Sequence, residues 1–150
     1  MKNNKLTIYL AGKMSGLSKN DYCNWRSELE NVLNNRANLI GASIQIINPA
    51  KYFDFDNMDR HLEKEVMQFD LNMVRQSDIV IVNVNGVSSS IGTAIELYEA
   101  NRLNIPVIAY TEGNVVDDIH PWIENCFSTV QMSKDELIDY IRDFYMVRYM

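Results

Sequence analysis

The chain has 150 residues, of which 47% are hydrophobic, so it can form one domain with a substantial core but is too short for two domains of ordinary size. Its formal net charge of −6 excludes a protein that binds nucleic acid through clustered lysine and arginine. No apolar segment approaches the length of a membrane span and no apolar leader follows the N-terminus, so we expect a cytoplasmic protein that binds no membrane.

The two cysteines, Cys23 and Cys126, lie far apart, and neither belongs to a CxxC motif or a Cys/His cluster. Such spacing is typical of reduced thiols and not of a zinc site or a redox centre. We therefore expect neither a bound metal nor a cofactor.

The first half of the chain alternates β-prone and helical segments. A β-prone run ends at Gly12 and passes into a glycine- and serine-containing loop. Trp25, Leu29 and Leu33 then recur at helical spacing. In chain order we predict a strand at 6–12, a helix at about 20–36, a strand at 43–48, an irregular stretch at 50–59 and a helix at about 60–75.

The second half begins with the strongest strand signal. Residues 78–84 are a nearly continuous run of β-branched side chains, which is typical of a strand buried on both faces of a parallel sheet. This strand is expected at the centre of the sheet. The remaining predicted elements are a loop at 86–90, a helix at 91–103, a strand at 107–110, a short helix at 118–125, a strand at 128–132 and a closing helix at about 133–146.

Strands that alternate with helices in this way predict a single α/β domain over residues 1–150. We expect a doubly wound, flavodoxin-like or Rossmann-like fold with five parallel strands in the order 2-1-3-4-5. A ligand then binds where the strand order reverses, between the first and third strands. Residues 12–18 and 85–90 meet there, and each loop leads to a helix N-terminus that favours anions. The alternative is that these loops are ordinary glycine and serine turns.

Two carboxylates lie at helix positions that should be apolar. On a helical wheel, Asp70 falls at the centre of the arc formed by Val66, Met67, Met73 and Val74. An unpaired carboxylate on such a face is costly, so Asp70 must be paired or must lie in a cleft that raises its pKa. An ion pair with Arg75 or Lys64, or a hydrogen bond that caps a neighbouring loop, is the alternative to a functional role.

Glu96 lies one turn inside the helix that follows the 86–90 loop. The wheel places it beside Gly92 and Thr93, and it points toward the crevice if Ile95 packs on the sheet. The alternative is that the helix dipole favours an acidic residue in an early turn. Two carboxyl groups at one crevice are the groups that break glycosidic bonds, one attacking the anomeric carbon and the other moving the proton.

Four stretches carry a family resemblance. They are residues 8–16 (IYLAGKMSG), residues 69–72 (FDLN) leading to 77–80 (SDIV), residues 92–97 (GTAIEL) and residues 106–108 (PVI). In this order they resemble the nucleoside 2-deoxyribosyltransferase family, including the related 2′-deoxynucleoside 5′-monophosphate N-hydrolases. The resemblance implies that Glu96 is the nucleophile that forms a covalent glycosyl-enzyme, that Asp70 protonates and places the base, and that Tyr9 orients Glu96.

The resemblance also bears on the substrate. Transferases of this family that act on free nucleosides often carry an aspartate six residues before the nucleophile, whereas the nucleotide hydrolases have a serine there; here the residue is Ser90. A hydroxyl, backbone N–H groups and a lysine suit a phosphate dianion, which an aspartate would repel. The resemblance thus implies substrate contacts from Gly12, Lys13, Ser15, Gly16, Ser90 and Gly92.

Members of this family are oligomers in which a neighbouring subunit closes the site with a segment after the fourth strand. The resemblance therefore implies a homo-oligomer, a dimer or larger, with sites completed across the interface. His120 lies at about that position and is a candidate contact in trans, although a histidine before Pro121 is also a common turn residue. Trp25 is expected in the core, with stacking on a base as the alternative.

We therefore expect an enzyme that cleaves or exchanges the N-glycosidic bond of a small-molecule (deoxy)nucleoside or its 5′-monophosphate. Two alternatives stand beside it. One is a non-catalytic module that binds or senses a nucleotide. The other is an N-glycohydrolase of a nicotinamide dinucleotide, which contains the same kind of bond.

Overall fold

In the computed structural model, residues 4–52, 62–113 and 118–150 are described. Their five strands are β1 (Leu6–Ala11), β2 (Ile44–Ile47), β3 (Ile79–Asn83), β4 (Val107–Tyr110) and β5 (Thr129–Gln131). All neighbouring pairs are parallel, and the strand order is β2-β1-β3-β4-β5. The predicted fold class and strand order are confirmed.

The register of the sheet places β1 and β3 at its centre. Ile8 of β1 lies between Ile46 of β2 and Ile79 of β3, and Val80 pairs with Val107 of β4. Both central strands are buried along nearly their whole length, as their β-branched composition predicts. Because β2 and β3 lie on opposite sides of β1, strand order reverses at the carboxyl end of β1.

Helices cover both faces of this sheet. They are α1 (Lys19–Ile40), α2 (Glu63–Arg75), α3 (Ile91–Arg102), α4 (Pro121–Glu124) and α5 (Lys134–Tyr140). One core layer contains Leu29 and Leu33 of α1 with Leu137 of α5. The other contains Val74 of α2 and Leu97 of α3. Alternation along β1 sends Tyr9 into this second layer, so its side chain lies on the α2 and α3 side of the sheet.

The helix bounds differ from the predicted ones at two places. α1 continues four residues past the predicted end and stops at Gly41, whose φ of 71° is left-handed. The Ala42 N–H then donates to the Ala37 carbonyl at 2.9 Å, which caps the last turn. The predicted closing helix is regular only over α5 and continues as a π-helical turn, Ile141–Tyr145, and a 3₁₀ turn, Met146–Tyr149.

Two other predicted elements include residues outside the described ranges. The irregular stretch at 50–59 begins inside a 3₁₀ turn, Pro49–Lys51, and its residues from 53 onward lie outside the described ranges, as do residues 60 and 61 of the predicted second helix. Within the described ranges, no helix is long and apolar enough to cross a membrane.

Candidate active site

A cavity of about 520 Å³ lies between α2 and α3, next to the carboxyl end of β1. Its volume falls in the usual range for small-molecule sites. Seven residues predicted from the sequence line it: Tyr9, Gly12, Ser15, Asp70, Ser90, Gly92 and Glu96. The structure thus brings together side chains that are as far as 87 positions apart in the chain.

Glu96 and Tyr9 are joined by a hydrogen bond at the cavity. The Tyr9 hydroxyl donates to Oε2 of Glu96. Burial raises the pKa of Glu96 to about 8; the Tyr9 hydrogen bond lowers it, nearby Asp70 raises it, and Arg26 lowers it. Burial and the Glu96 charge also raise the pKa of Tyr9 well above its ordinary value, so the phenol keeps its proton and remains the donor.

No basic side chain in the described part of the chain forms an ion pair with Asp70. Its Oδ1 atom is buried and has no hydrogen-bond partner among the described residues. The ion pair with Arg75 considered above does not form, because Arg75 Nε contacts Glu99 Oε1 at 2.9 Å instead. Burial raises the pKa of Asp70 to about 6, and Arg26 opposes this shift. Asp70 is therefore a largely desolvated carboxyl group in the cavity lining, where a substrate group can meet it.

The start of α3 forms another wall of the cavity. Ser90 is the N-cap: its Oγ accepts from the Thr93 N–H at 3.4 Å and lies 2.7 Å from Thr93 Oγ1. The first amides of a helix have no intrahelical carbonyl partner, and Gly92 presents no side chain near them. This wall therefore offers N–H groups and a positive helix end to an anion.

Three predicted contacts lie outside the cavity lining. Lys13 Nζ donates to Ser89 Oγ at 2.8 Å and so joins the loop after β1 to the loop before α3. Gly16 forms the turn after this lysine with a φ of 78°. His120 is exposed and caps α4 by accepting from the Trp122 N–H at 3.2 Å, which is the turn role weighed above.

The remaining walls are apolar. Val66, Met67 and Leu71 of α2 face Ile91 and Ile95 of α3 across the cavity. Glu96 reaches the cavity although the condition set for it, that Ile95 packs on the sheet, is not met: the Ile95 side chain is 41% exposed and also lines the cavity. Thr93, Leu97 and Ala100 are the buried face of α3, so Glu96 lies at the border between the buried face and the cavity.

Two charged residues near the site were not predicted from the sequence. Glu63 lies two helical turns before Asp70 on α2 and lines the cavity, as residues seven apart on a helix share a face. Arg26 of α1 is fully buried and donates to the Gly12 carbonyl at 2.8 Å. A charged residue on a helix is normally exposed, so the sequence around Arg26 does not indicate that this arginine is buried. Its neighbour Trp25 packs in the core as expected, 6.2 Å from the Tyr110 ring.

Within residues 4–52, 62–113 and 118–150, no group of three or more His, Cys, Asp or Glu side chains could hold a metal ion.

Three solved structures share this fold along nearly the whole chain. A 2-deoxyribosyltransferase from Bacillus psychrosaccharolyticus has a TM-score of 0.64 at 18% identity, covering 95% of each chain. A conserved protein from Enterococcus faecalis has a TM-score of 0.68 at 18% identity, covering 92% of this chain and 98% of the other. The CMP N-glycosidase of Clostridium botulinum has a TM-score of 0.52 at 15% identity, covering 90% and 96%.

Family membership comes from the sequence. No curated protein sequence matches the chain significantly. A family profile does, over residues 5–113, a span that includes β1, both carboxylates and β4. On that match, this chain belongs to the family described as nucleoside 2-deoxyribosyltransferase like.

Proposed function

We propose that this protein hydrolyses the N-glycosidic bond of a 2′-deoxynucleoside 5′-monophosphate through a glycosyl ester of Glu96. The observation that carries the proposal is the pair of carboxyl groups at one cavity, with Glu96 held by Tyr9 and Asp70 left without a partner. The family, and the N-glycosidic substrates named for two of the similar structures, support the same bond.

In the first step a carboxylate oxygen of Glu96 attacks C1′ of the sugar. The bond between C1′ and the base nitrogen breaks, its electron pair stays with the base, and the Asp70 carboxyl group donates a proton to the base. The Tyr9 hydroxyl holds one oxygen of Glu96, which leaves the other for the attack. The product of this step is a free base and a deoxyribosyl ester of Glu96.

In the second step Asp70, now a carboxylate, takes a proton from water. The water oxygen attacks C1′, the ester bond breaks and Glu96 returns to a carboxylate. Two inversions retain the configuration at C1′. A second base in place of water would give exchange of bases, so hydrolysis and transfer share the first step.

The 5′-phosphate is proposed to bind at the start of α3. Ser90 and the amides around Gly92 form that wall of the cavity, and Ser15 also lines the cavity. Lys13 adds positive charge nearby, because its Nζ atom donates to the hydroxyl of Ser89, the residue before Ser90. Glu63 lies on the opposite α2 wall and would repel a phosphate there, so the charges favour one orientation of the nucleotide.

A product assay tests this function directly. The protein is incubated with a deoxynucleoside 5′-monophosphate or the free nucleoside, each with and without a second base, and the products are separated by chromatography. We expect free base and deoxyribose 5-phosphate from the monophosphate. Tight nucleotide binding without any product would instead support the sensing module, and nicotinamide release from a dinucleotide would support the other alternative.

Ser90→Asp is expected to distinguish nucleotides from nucleosides. Aspartate is as good an N-cap as serine, so the helix start is kept, while its charge repels the phosphate. We expect kcat/KM for the monophosphate to fall by about 10–100-fold, with no comparable loss for the nucleoside. Ser90→Asn is the control, because asparagine is a neutral N-cap residue of the same size as aspartate. An equal loss for both substrates would place the phosphate elsewhere.

A second copy of the chain is proposed to complete the site. Ile91, Ile95 and Tyr98 form an exposed stripe along α3, and Trp122 on α4 is 81% exposed beside His120. Apolar side chains exposed together are typical of an interface. Sedimentation velocity is expected to give a dimer or larger species, and Tyr98→Lys to dissociate it with loss of activity. A fully active wild-type monomer would contradict this.

A further inference from the structure

Arg26 is a buried cation beside the cavity. It lies on α1 and is fully buried. No carboxylate among the described residues forms an ion pair with it. Burying an unpaired charge is expensive, and apolar side chains of similar volume often replace buried ionic groups without loss of stability. The fold alone therefore gives little reason for an arginine at this position.

The contacts of Arg26 point to the site. Its Nη2 donates to the Gly12 carbonyl at 2.8 Å, and its Nε approaches the Leu10 carbonyl at 3.5 Å. Its Nη1 donates to the backbone carbonyl of Tyr22, on the same helix, at 2.6 Å. The guanidinium also lies 4.4 Å from the centre of the Trp25 ring. The Leu10 carbonyl belongs to β1 and the Gly12 carbonyl to the first residue after it, so both lie between Tyr9 and Ser15.

Gly12 packs against the side chains of Trp25 and Arg26. A Cβ atom at Gly12 would lie 2.6 Å from the Trp25 ring and 3.4 Å from Arg26 Nη2. The loop after β1 therefore passes close to α1, where the planar guanidinium group of Arg26 holds the backbone of the loop in place.

We propose that Arg26 is a positioning residue: it fixes the backbone of Leu10 and Gly12 beneath the substrate and supplies the buried positive charge beside which Glu96 and Asp70 ionise. This inference rests on the proposed function for its kinetic consequences, but its effect on ionisation does not depend on turnover. Arg26 touches no reacting atom and acts through the carboxylates and the loop.

The charged and titratable groups around it define the expected sign. Glu96 of α3, Tyr9 of β1, Cys23 of α1 and Tyr110 of β4 act on Arg26. Arg26 in turn lowers the pKa of Asp70 and of Glu96. Burial lowers the pKa of Arg26 to about 10, so it remains a cation at neutral pH. Removing its charge should raise the pKa values of both carboxyl groups.

Three variants separate charge from hydrogen bonding. Arg26→Met removes both, Arg26→Gln keeps donors without charge, and Arg26→Lys keeps charge without the planar fork. For Met and Gln we expect both limbs of the pH profile of kcat/KM to move upward by about 0.5–1 pH unit. For Lys we expect the limbs to stay in place while KM for the monophosphate rises severalfold.

Leu29→Ala is the matched control, because Leu29 is equally buried on the same helix but has no charge. It is expected to lower stability without moving the limbs. The carboxyl titrations are also followed by ¹³C NMR without substrate, so a protein that released no base would still test Arg26. If Arg26→Gln, or Arg26→Met where it folds, titrates like the wild type, the electrostatic role is overturned. Unchanged KM in Arg26→Lys would overturn the role in the loop.

Discussion

Replacing Glu96 by glutamine is expected to reduce base release by about a thousandfold or more, while the protein stays folded. Glutamine keeps the shape of the side chain and can still accept the hydrogen bond from Tyr9, but an amide oxygen is too weak a nucleophile to form the glycosyl ester. The measurement is the initial rate of base release by chromatography, with circular dichroism to compare the folds.

Two further measurements make this result specific. Rapid acid quench during turnover, followed by mass spectrometry, should detect a deoxyribosyl phosphate adduct on the wild-type peptide that contains Glu96 and not on the glutamine variant. Glu99→Gln is the control on the same helix, because Glu99 pairs with Arg75 and Arg102 and does not line the cavity. A Glu96→Gln variant with wild-type turnover would refute the nucleophile.

The same substitution is expected to stabilise the protein at alkaline pH. The pKa of Glu96 is raised from 4.5 to about 8 by burial, so the folded state holds its proton where the unfolded state has lost it. Stability that is fully present below pH 4.5 is therefore lost as pH rises toward 8. The free energy of unfolding of Glu96→Gln should exceed that of the wild type by roughly 2–4 kcal/mol at pH 9, with the difference vanishing near pH 4.5.

Glu99 provides the opposite sign on the same helix. Hydrogen bonds from Arg102 and Arg75 lower its pKa to about 2, so its contribution to stability is present above pH 4.5 and is lost as pH falls. Glu99→Gln should therefore lower, and Glu96→Gln raise, the urea midpoint at pH 9. Such a contrast is expected when a carboxylate is retained for chemistry at the expense of stability.

The fold was largely predictable because its strongest signals are local. The β-branched run at 79–83 and the alternation of segments around it are enough for a parallel sheet with β3 inside. The last four residues of α1 were not predicted, although Ala37 and Ile40 continue the spacing of Leu29 and Leu33. Alanine is a weak apolar signal and Leu39 is 82% exposed, so only Gly41 marks the stop. The π-helical turn after α5 likewise has no local signal in a sequence that reads as continuous helix.

The site was predictable only where a residue breaks a pattern. Asp70 interrupts an apolar arc, and that anomaly led to a carboxyl group that the structure leaves buried and unpaired. The wheel gave the position of Glu96 relative to Ile95 but not the rotation of α3 against the sheet, which tertiary packing decides. Arg26 was not predicted because its partners are the carbonyls of Leu10 and Gly12, to which no spacing along α1 points.

Asp70→Asn is expected to change both the rate and the shape of the pH profile. With pKa values of about 6 for Asp70 and about 8 for Glu96, the pair holds about one proton at pH 7. These values put the proton mostly on Glu96, whereas the proposed first step needs it on Asp70 with a carboxylate at Glu96, so the reactive form is the minor arrangement of the singly protonated pair. Its population rises and falls with that of the singly protonated pair, so the wild type should give a bell-shaped profile of kcat/KM between these values. The limbs belong to the coupled pair and not to either residue alone.

Asparagine cannot donate the proton, so base release at the optimum should fall by about 10²–10⁴-fold and the alkaline limb should disappear. The remaining acid limb belongs to Glu96 alone. Because the Asp70 charge raises the pKa of Glu96, this limb should lie at lower pH than the pKa of about 8 that Glu96 has beside Asp70.

Tyr9→Phe should instead raise the pKa of Glu96, since the hydrogen bond from Tyr9 lowers that pKa.

The leaving group decides whether Asp70 acts as an acid or only as a binding group. A 7-methylpurine deoxynucleotide carries a positively charged base that departs neutral, without needing a proton. If Asp70 protonates the base, Asp70→Asn should lose most of its defect on this substrate while Glu96→Gln stays inactive on it. If Asp70 only holds the base in place, the asparagine defect should be as large on the methylated substrate as on the parent nucleotide, and the proton donor would have to be another group at the cavity.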